Sequence, residues 1–139
     1  YHVLGAFLAE QTKAGDSDWL VAVSNADSVN VVIGGREMQR YDGSGAWRLT
    51  TGLKLGTVVD VETDPAGYIY IAEQASPSDS NPYVWKYKDD GANICRIEMS
   101  LDGNRRAVPS DIAVDSFGRV YVWEQAKQSI HRFAQAPPQ

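Results

Sequence analysis

A twelve-residue stretch occurs twice in this chain of 139 residues, and the duplication limits the folds that the chain can adopt. The sequence reads DPAGYIYIAEQA at residues 64–75 and DSFGRVYVWEQA at residues 115–126, with six identical positions and two exchanges of Ile for Val. In both copies an Asp and a Gly frame a tight turn, and apolar residues then alternate as in a strand. A repeat of this size predicts a fold assembled from similar β units.

Two further signals define the repeated unit. Residues 27–33 form a fainter copy of the turn and strand, with Asn30 in place of the Gly. Three tetrapeptides share the order apolar, any, basic, aromatic, and they begin 46 residues apart at Met38, Val84 and Ile130. The Asp–Gly motif is spaced unevenly, so we expect residues 75–82 (ASPSDSNP) to be an exposed, mobile insertion in the second copy.

The spacing of turn residues and apolar runs is typical of β-strands along the whole sequence. Turn residues recur every 8–12 positions between short runs rich in Val, Ile, Tyr and Trp, and no helical period lasts for three turns. The chain is therefore predicted to be all-β, with no helix longer than two turns. We expect twelve strands, at residues 2–9, 19–25, 29–34, 37–42, 46–50, 56–63, 68–73, 83–88, 93–99, 110–115, 119–124 and 129–134.

The third copy, PSDIAVDSFGRVYVWEQAKQSIHRF, resembles an NHL-type repeat. The matching features are a Pro-led strand ending in Val-Asp, a Gly turn, a Val-Tyr-Val strand and a strand that ends in basic-aromatic. The copy at residues 57–87 fits but lacks the leading Pro, and the copy at residues 20–41 fits poorly. The resemblance implies a β-propeller of four-stranded blades, a fold that hosts many functions.

Three blades cannot close a ring, because propellers close with about 4–8 blades. We therefore expect a single half-propeller domain over residues 1–139, with blades at about 18–50, 56–99 and 109–134. Residues 1–9 would complete a blade edge, and a homodimer would form a six-bladed ring. The two outer faces of the half-propeller, at its first and last blades, are expected to carry apolar residues, namely Val21, Val23, Val120, Val122 and Ile130.

Two alternatives to this arrangement stay open. LAEQ at residues 8–11 echoes IAEQ at residues 71–74, which would shift the register and leave residues 38–50 without a place. The chain begins with Tyr1 rather than Met, so it would also be compatible with a fragment of a longer propeller.

Charge and composition exclude several classes of partner. A net charge of −5 is a poor match for nucleic acid, since phosphate binding calls for a basic patch. No apolar run approaches the length of about 18 residues needed to cross a membrane, so we expect a soluble protein. Cys95 is the single cysteine, which rules out an internal disulfide and favours the cytoplasm over secretion.

Two aspartates are the candidate metal ligands. Asp60 and Asp111 occupy the same position in two repeats, four residues before the Asp of each turn. By resemblance to related propellers they would face the central channel, where a ring of carboxylates would suit Ca²⁺ or Mg²⁺. The structural alternative is that each bonds to neighbouring backbone N–H groups, and no cofactor would then be needed.

Four further residues are candidates for ligand binding. Glu62 shares a strand face with Asp60, and Glu73 and Glu124 are repeated, each followed by Gln-Ala. Trp123 is one of four tryptophans, and such rings can contact a sugar or a peptide. The structural alternatives are a solvated edge for Glu62, hydrogen bonds between blades for the repeated glutamates, and packing between blades for the tryptophan.

No sequence motif specifies a reaction. The chain contains no His/Cys cluster for zinc and no nucleophile elbow. The sequence therefore predicts a non-catalytic β-propeller scaffold that binds a small ligand or a protein. The alternative is a metal-dependent propeller enzyme similar to lactonases or lyases, with carboxylates at the mouth of the channel.

Overall fold

The computed structural model describes residues 19–24 and 28–134, and this part of the chain is almost entirely β. The only helices there are two 3₁₀ segments, Asp102–Asn104 and Gln125–Lys127. No helix in these ranges has the length and apolarity needed to cross a membrane. The strands are β1 (Trp19–Val23), β2 (Val29–Ile33), β3 (Glu37–Tyr41), β4 (Trp47–Gly52), β5 (Val58–Thr63), β6 (Ile69–Glu73), β7 (Tyr83–Tyr87), β8 (Asn93–Glu98), β9 (Asp111–Val114), β10 (Val120–Glu124) and β11 (Ser129–Phe133).

The all-β prediction is confirmed, and eleven of the twelve expected strands are present with ends within two residues of those predicted. The twelfth, at residues 2–9, lies outside the described residues, as does its expected role at a blade edge. The competing register left residues 38–50 without a place. These residues belong to β3 and β4 of the first sheet, while residues 8–11, on which the competing register depends, lie outside the described residues.

The strands form three antiparallel sheets, in the orders β1-β2-β3-β4, β5-β6-β7-β8 and β9-β10-β11. The first strands of the sheets are neighbours, because β5 contacts both β1 and β9. Two hydrogen bonds join them: the Thr63 hydroxyl donates to the Val23 carbonyl over 2.9 Å, and the Ile112 N–H donates to the Asp60 carboxyl over 2.9 Å. The sheets therefore stand side by side, with β5 between β1 and β9.

Two apolar clusters hold neighbouring sheets together. One joins the first and second sheets, and its buried residues are Ala22, Val32, Met38, Leu53, Val61, Ile69, Ile71 and Tyr87. The other joins the second and third sheets, and its buried residues are Tyr70, Ala72, Val84, Ile97, Met99, Ala107, Ile112, Val120 and Val122. Burial of these faces in pairs is the main apolar contribution to the stability of this fold.

The expectation that Val120 and Val122 lie on an exposed terminal face is wrong, because both are buried against the second sheet. Strand alternation places these two side chains on one face of β10 but does not say which neighbour covers that face. Val21, Val23 and Ile130, expected on the terminal faces, are exposed.

Asp64 and Asp115 form the turns that the repeat predicted. The Asp64 Oδ1 accepts the N–H groups of Ala66 and Tyr68, both over 3.0 Å. The Asp115 Oδ1 accepts the equivalent N–H groups of Phe117 and Arg119, both over 2.9 Å. The local sequence Asp-x-x-Gly therefore folds in the same way twice.

In the first sheet, Ser24 stands at the position of the turn aspartates and bonds Ser28. The Ser24 N–H bonds to the Ser28 carbonyl over 2.9 Å, and the Ser24 hydroxyl accepts the Ser28 N–H over 3.3 Å. Asn30, expected in the turn, instead lies inside β2 opposite Arg40. The fainter copy was thus misaligned, because a serine hydroxyl performs here the role that a carboxylate performs in the other two turns.

The connection between β6 and β7 is the long one, as the repeat spacing predicted. It spans residues 74–82, whereas residues 34–36 and 125–128 make the same connection in the other sheets. Most of residues 75–82 are exposed, although Ser76 and Pro82 are buried. The Ser76 N–H bonds to the Asn81 carbonyl over 2.9 Å, so the loop is closed by its own hydrogen bonds.

Candidate functional site

Three carboxylates meet where the second and third sheets adjoin. Asp60 and Glu62 lie on β5, two residues apart and therefore on one face of the strand, and Asp111 begins β9. Each of the three offers an oxygen atom within 4.8 Å of the others. Asp60 and Glu62 are half-buried, and Asp111 is exposed. The structure thus brings together both candidate metal ligands and one of the candidate ligand-binding residues.

The Asp60 carboxyl also joins two strands. Its Oδ1 accepts the Val61 N–H over 2.8 Å, and its Oδ2 accepts the Ile112 N–H of β9 over 2.9 Å. These bonds are those of the structural alternative, in which the aspartate bonds to neighbouring backbone. Asp60 therefore contributes to the position of β9 relative to β5.

Burial is the main reason that the pKa of Asp60 rises to about 7. A hydrogen bond with the Asp111 side chain and the negative charges of Glu62 and Asp111 raise it further, while the Ile112 N–H opposes the rise. The pKa of the Glu62 carboxyl is also raised, first by burial and then by the charge of Asp111. Near neutral pH the cluster thus retains a proton that moderates the repulsion between its carboxylates.

The chemistry of this cluster follows from its oxygen atoms. Carboxylate oxygens in this number and proximity suit a divalent cation such as Ca²⁺ or Mg²⁺, while acidic groups are also common on proteins without any ion. The same group can donate a proton at neutral pH through Asp60 and accept hydrogen bonds through Asp111. The Asp60 bonds to Val61 and Ile112 already engage one lone pair on each of its oxygens.

Glu73 and Glu124 are engaged outside the acidic cluster, each by a ring nitrogen of its own sheet and by a backbone N–H of the segment before that sheet. The Glu73 carboxylate accepts the Gly56 N–H over 2.6 Å and the Trp85 indole N–H over 2.8 Å. The Glu124 carboxylate accepts the Val108 N–H over 2.9 Å and lies 3.3 Å from the His131 Nε2. Both glutamates are buried. Each therefore ties the segment before the first strand of its sheet to the third strand.

The aromatic partners of these glutamates were not identified from the sequence. Trp85 and His131 are 46 residues apart, so they occupy the same place in the tetrapeptides that begin at Val84 and Ile130. Each follows its glutamate closely in the chain, and both carry a ring N–H. The sequence could have indicated these partners, because a repeated Glu is accompanied in both copies by a residue with a ring nitrogen at an equivalent position.

The connecting segments that these glutamates bond are also bonded to the preceding sheets: the Leu55 N–H donates to the Gly35 carbonyl, and the Gln74 side chain donates to the Pro109 carbonyl. These contacts agree with the structural alternative, in which the repeated glutamates link neighbouring units.

Trp123 lies on the face of the third sheet that points away from the second sheet. Its neighbours across the strands are Asp111 on β9 and Ile130 on β11. About a third of Trp123 is exposed, next to the still more exposed Ile130. Trp123 therefore borders the acidic cluster through Asp111, but it belongs to an apolar surface.

Comparison with known proteins supports the fold and leaves the function open. No protein-family model matches this chain, and no curated protein matches it. A crystal structure at 1.35 Å of a protein of unknown function from Bacteroides caccae is similar, with a TM-score of 0.61 at 15% sequence identity. The match covers 88% of this chain and 43% of that one. The chain thus spans less than half the length of this structural neighbour.

Proposed function

We propose that this protein is a non-catalytic β-propeller scaffold of the NHL type that binds a small ligand or a protein at the mouth of its channel. The three sheets would be three blades, and two copies would form a six-bladed ring. The order of strands within each sheet and the adjacency of β1, β5 and β9 support this assignment, because first strands surround the axis of a propeller.

The observation that carries the binding function is the exposed part of the acidic cluster. Asp60 contributes to the scaffold through two backbone bonds, whereas Asp111 is exposed and Glu62 is half-buried beside it. A partner that offers hydrogen-bond donors or a positive charge would complement these two carboxylates. The channel mouth would therefore select a basic or donor-rich group.

The alternative is a metal-dependent enzyme of the lactonase or lyase kind. Asp60, Glu62 and Asp111 would supply the oxygen ligands for Ca²⁺ or Mg²⁺. A cation would have to displace the proton of Asp60, whose pKa is about 7, so its affinity would increase as the pH rises through neutrality. This pH dependence distinguishes a cation site from a site for a neutral donor.

A thermal melt with separate additions of Ca²⁺, Mg²⁺ and a library of small cationic and neutral ligands tests both proposals. We expect no shift with either metal, and a shift with a donor-rich ligand that Asp111→Asn abolishes. Asp102→Asn is the matched control, because Asp102 is an exposed aspartate outside the cluster.

The two results have different meanings. A Ca²⁺-dependent increase in melting temperature that is lost in Asp111→Asn and grows from pH 6 to pH 8 would replace the scaffold proposal with the metal-dependent one. A ligand shift that persists in Asp111→Asn would place binding somewhere other than the acidic cluster.

A further inference from the structure

The internal repeat allows equivalent positions of the three sheets to be compared. Met38, Val84 and Ile130 are equivalent, since they lie on the third strands β3, β7 and β11 at intervals of 46 residues. Met38 is 1% exposed and Val84 is 0% exposed, because each packs against the next sheet along the chain. Ile130 is 70% exposed. The third sheet thus presents the residue that a following sheet covers in the other two.

On the first strands, the exposed member of an equivalent set lies in the first sheet instead of the third. Val21, Val61 and Ile112 are equivalent, since their partners on the second strands are Val31, Ile71 and Val122. Val61 is 3% exposed and Ile112 is 4% exposed, because each packs against the preceding sheet. Val21 is 48% exposed. The first sheet thus presents the residue that a preceding sheet covers in the other two.

Ile130 and Val21 are equivalent to residues that share a cluster across the junctions between sheets. Met38 and Val61 share a cluster at the first junction between sheets, and Val84 and Ile112 share a cluster at the second. We infer that Ile130 of one copy packs against Val21 of a second copy and makes a third junction of the same kind. This inference rests on the propeller proposed above and specifies how its two halves meet.

The other residues on this face agree with the assignment. Trp123 lies opposite Ile130, and its equivalents Val32 and Ala72 are buried. Arg132 is exposed, while its equivalents Arg40 and Lys86 are buried. Val32 and Ala72 belong to the clusters shared with the following sheet, and Arg40 bonds the Asp89 carbonyl of the second sheet. Trp123 is therefore assigned to the contact between copies rather than to ligand binding.

The area of the paired faces is that of a small interface. Three strands of five residues cover a face of about 14 Å by 17 Å. A two-fold axis repeats the junction, so four faces meet and remove on the order of 1,000 Å² from water. This value is close to the minimum of roughly 1,000 Å² expected for a biological interface. The two-fold axis also closes the assembly, since each copy then has both of its end faces covered.

Light scattering behind a sizing column and cross-linking test the pairing together. We expect a mass of about twice 15.3 kDa for the natural chain. Ile130→Asp should give a folded monomer, checked by circular dichroism, whereas Phe117→Asp should remain a dimer. Phe117 is the matched control because it is an exposed apolar residue in a turn, outside both end faces.

Cross-linking locates the contact without disturbing its charge. In a Cys95→Ser background, the double variant Val21→Cys, Ile130→Cys should form a covalent dimer with a short bismaleimide. Each single variant should not, nor should Val21→Cys combined with Phe117→Cys. Cross-linking of the Ile130→Cys single variant would show that the third sheets face each other, which would overturn this pairing while leaving a dimer. A monomeric natural chain would overturn both the pairing and the six-bladed ring, while the ligand experiment above would still test the scaffold.

Discussion

The Asp60 carboxyl combines a structural bond with an unusual protonation equilibrium. Burial, the hydrogen bond with Asp111 and the charges of Glu62 and Asp111 raise its pKa from 3.8 to about 7 in the folded protein. Between pH 4 and pH 7 the unfolded chain therefore loses a proton that the folded chain keeps. The free energy of unfolding must then decrease as the pH rises through this range.

We predict that Asp60→Asn removes most of this pH dependence, and the remainder belongs to Glu62, whose pKa is also raised. The natural chain should lose several degrees of melting temperature between pH 5 and pH 8 relative to the variant, because the asparagine cannot ionise. The pKa values of Asp42 and Asp115 are about 2, so these groups do not titrate in this range. Thermal melts at both values of pH measure the difference.

Asp102→Asn provides the control for this experiment, since it removes an exposed carboxylate outside the cluster. It should retain the pH dependence of the natural chain. If Asp60→Asn retained the whole of it, Asp60 would be ionised in the folded protein throughout this range, which would contradict its raised pKa.

The repeated glutamates lead to a prediction about stability. Glu73→Ala should lower the free energy of unfolding by about 2–4 kcal/mol, because the Gly56 N–H and the Trp85 indole N–H lose their acceptor. Glu98→Ala on β8 should change it by less than about 0.5 kcal/mol, since Glu98 is exposed. Urea unfolding measures both, and equal effects would argue against a structural role for Glu73.

At the scale of elements, the long β6–β7 loop is the region that differs most between the repeats. Its backbone is closed by hydrogen bonds, and the Asp79 carboxylate accepts the Asn81 N–H over 2.9 Å and also the Tyr83 hydroxyl. Asp79 therefore links the loop to the start of β7. The exposure of residues 77–80 makes this loop the expected first site of proteolysis.

We predict that Asp79→Ala accelerates cleavage within residues 77–80 several-fold without a comparable change in the urea midpoint. The variant frees the loop from β7 but leaves the sheet clusters intact. Asp102→Ala serves as the control and should be cleaved at the rate of the natural chain. Limited proteolysis followed by mass spectrometry gives the sites, and first cleavage elsewhere would contradict the prediction.

At the scale of the whole molecule, the proposed pair of copies has a thermodynamic consequence. A dimer that dissociates on unfolding has a melting temperature that increases with protein concentration. We predict such an increase between about 1 µM and 100 µM for the natural chain and no increase for Ile130→Asp. Scanning calorimetry measures it, and a melting temperature independent of concentration over this range would count against the assembly.

The sequence by itself determined the strands, because their signals are local. Alternation of apolar residues and turns framed by Asp and Gly act within a few residues, so the ends of eleven strands could be predicted to within two positions. The repeat also identified Asp60 and Asp111 as equivalent positions. Equivalent positions on neighbouring first strands lie close together, and the structure places these two carboxyls in one cluster.

The tertiary structure decided which neighbour covers each face and what each polar group bonds. Val120 and Val122 face the second sheet, Ser24 replaces an aspartate in the first turn, and Glu73 bonds the distant Gly56 N–H. Each of these depends on contacts between segments far apart in the chain. The raised pKa of Asp60 has the same origin, because burial and the charge of Asp111 across a sheet junction produce it. A local sequence pattern does not specify which distant segments come into contact, so these features are determined only when the sheets pack together.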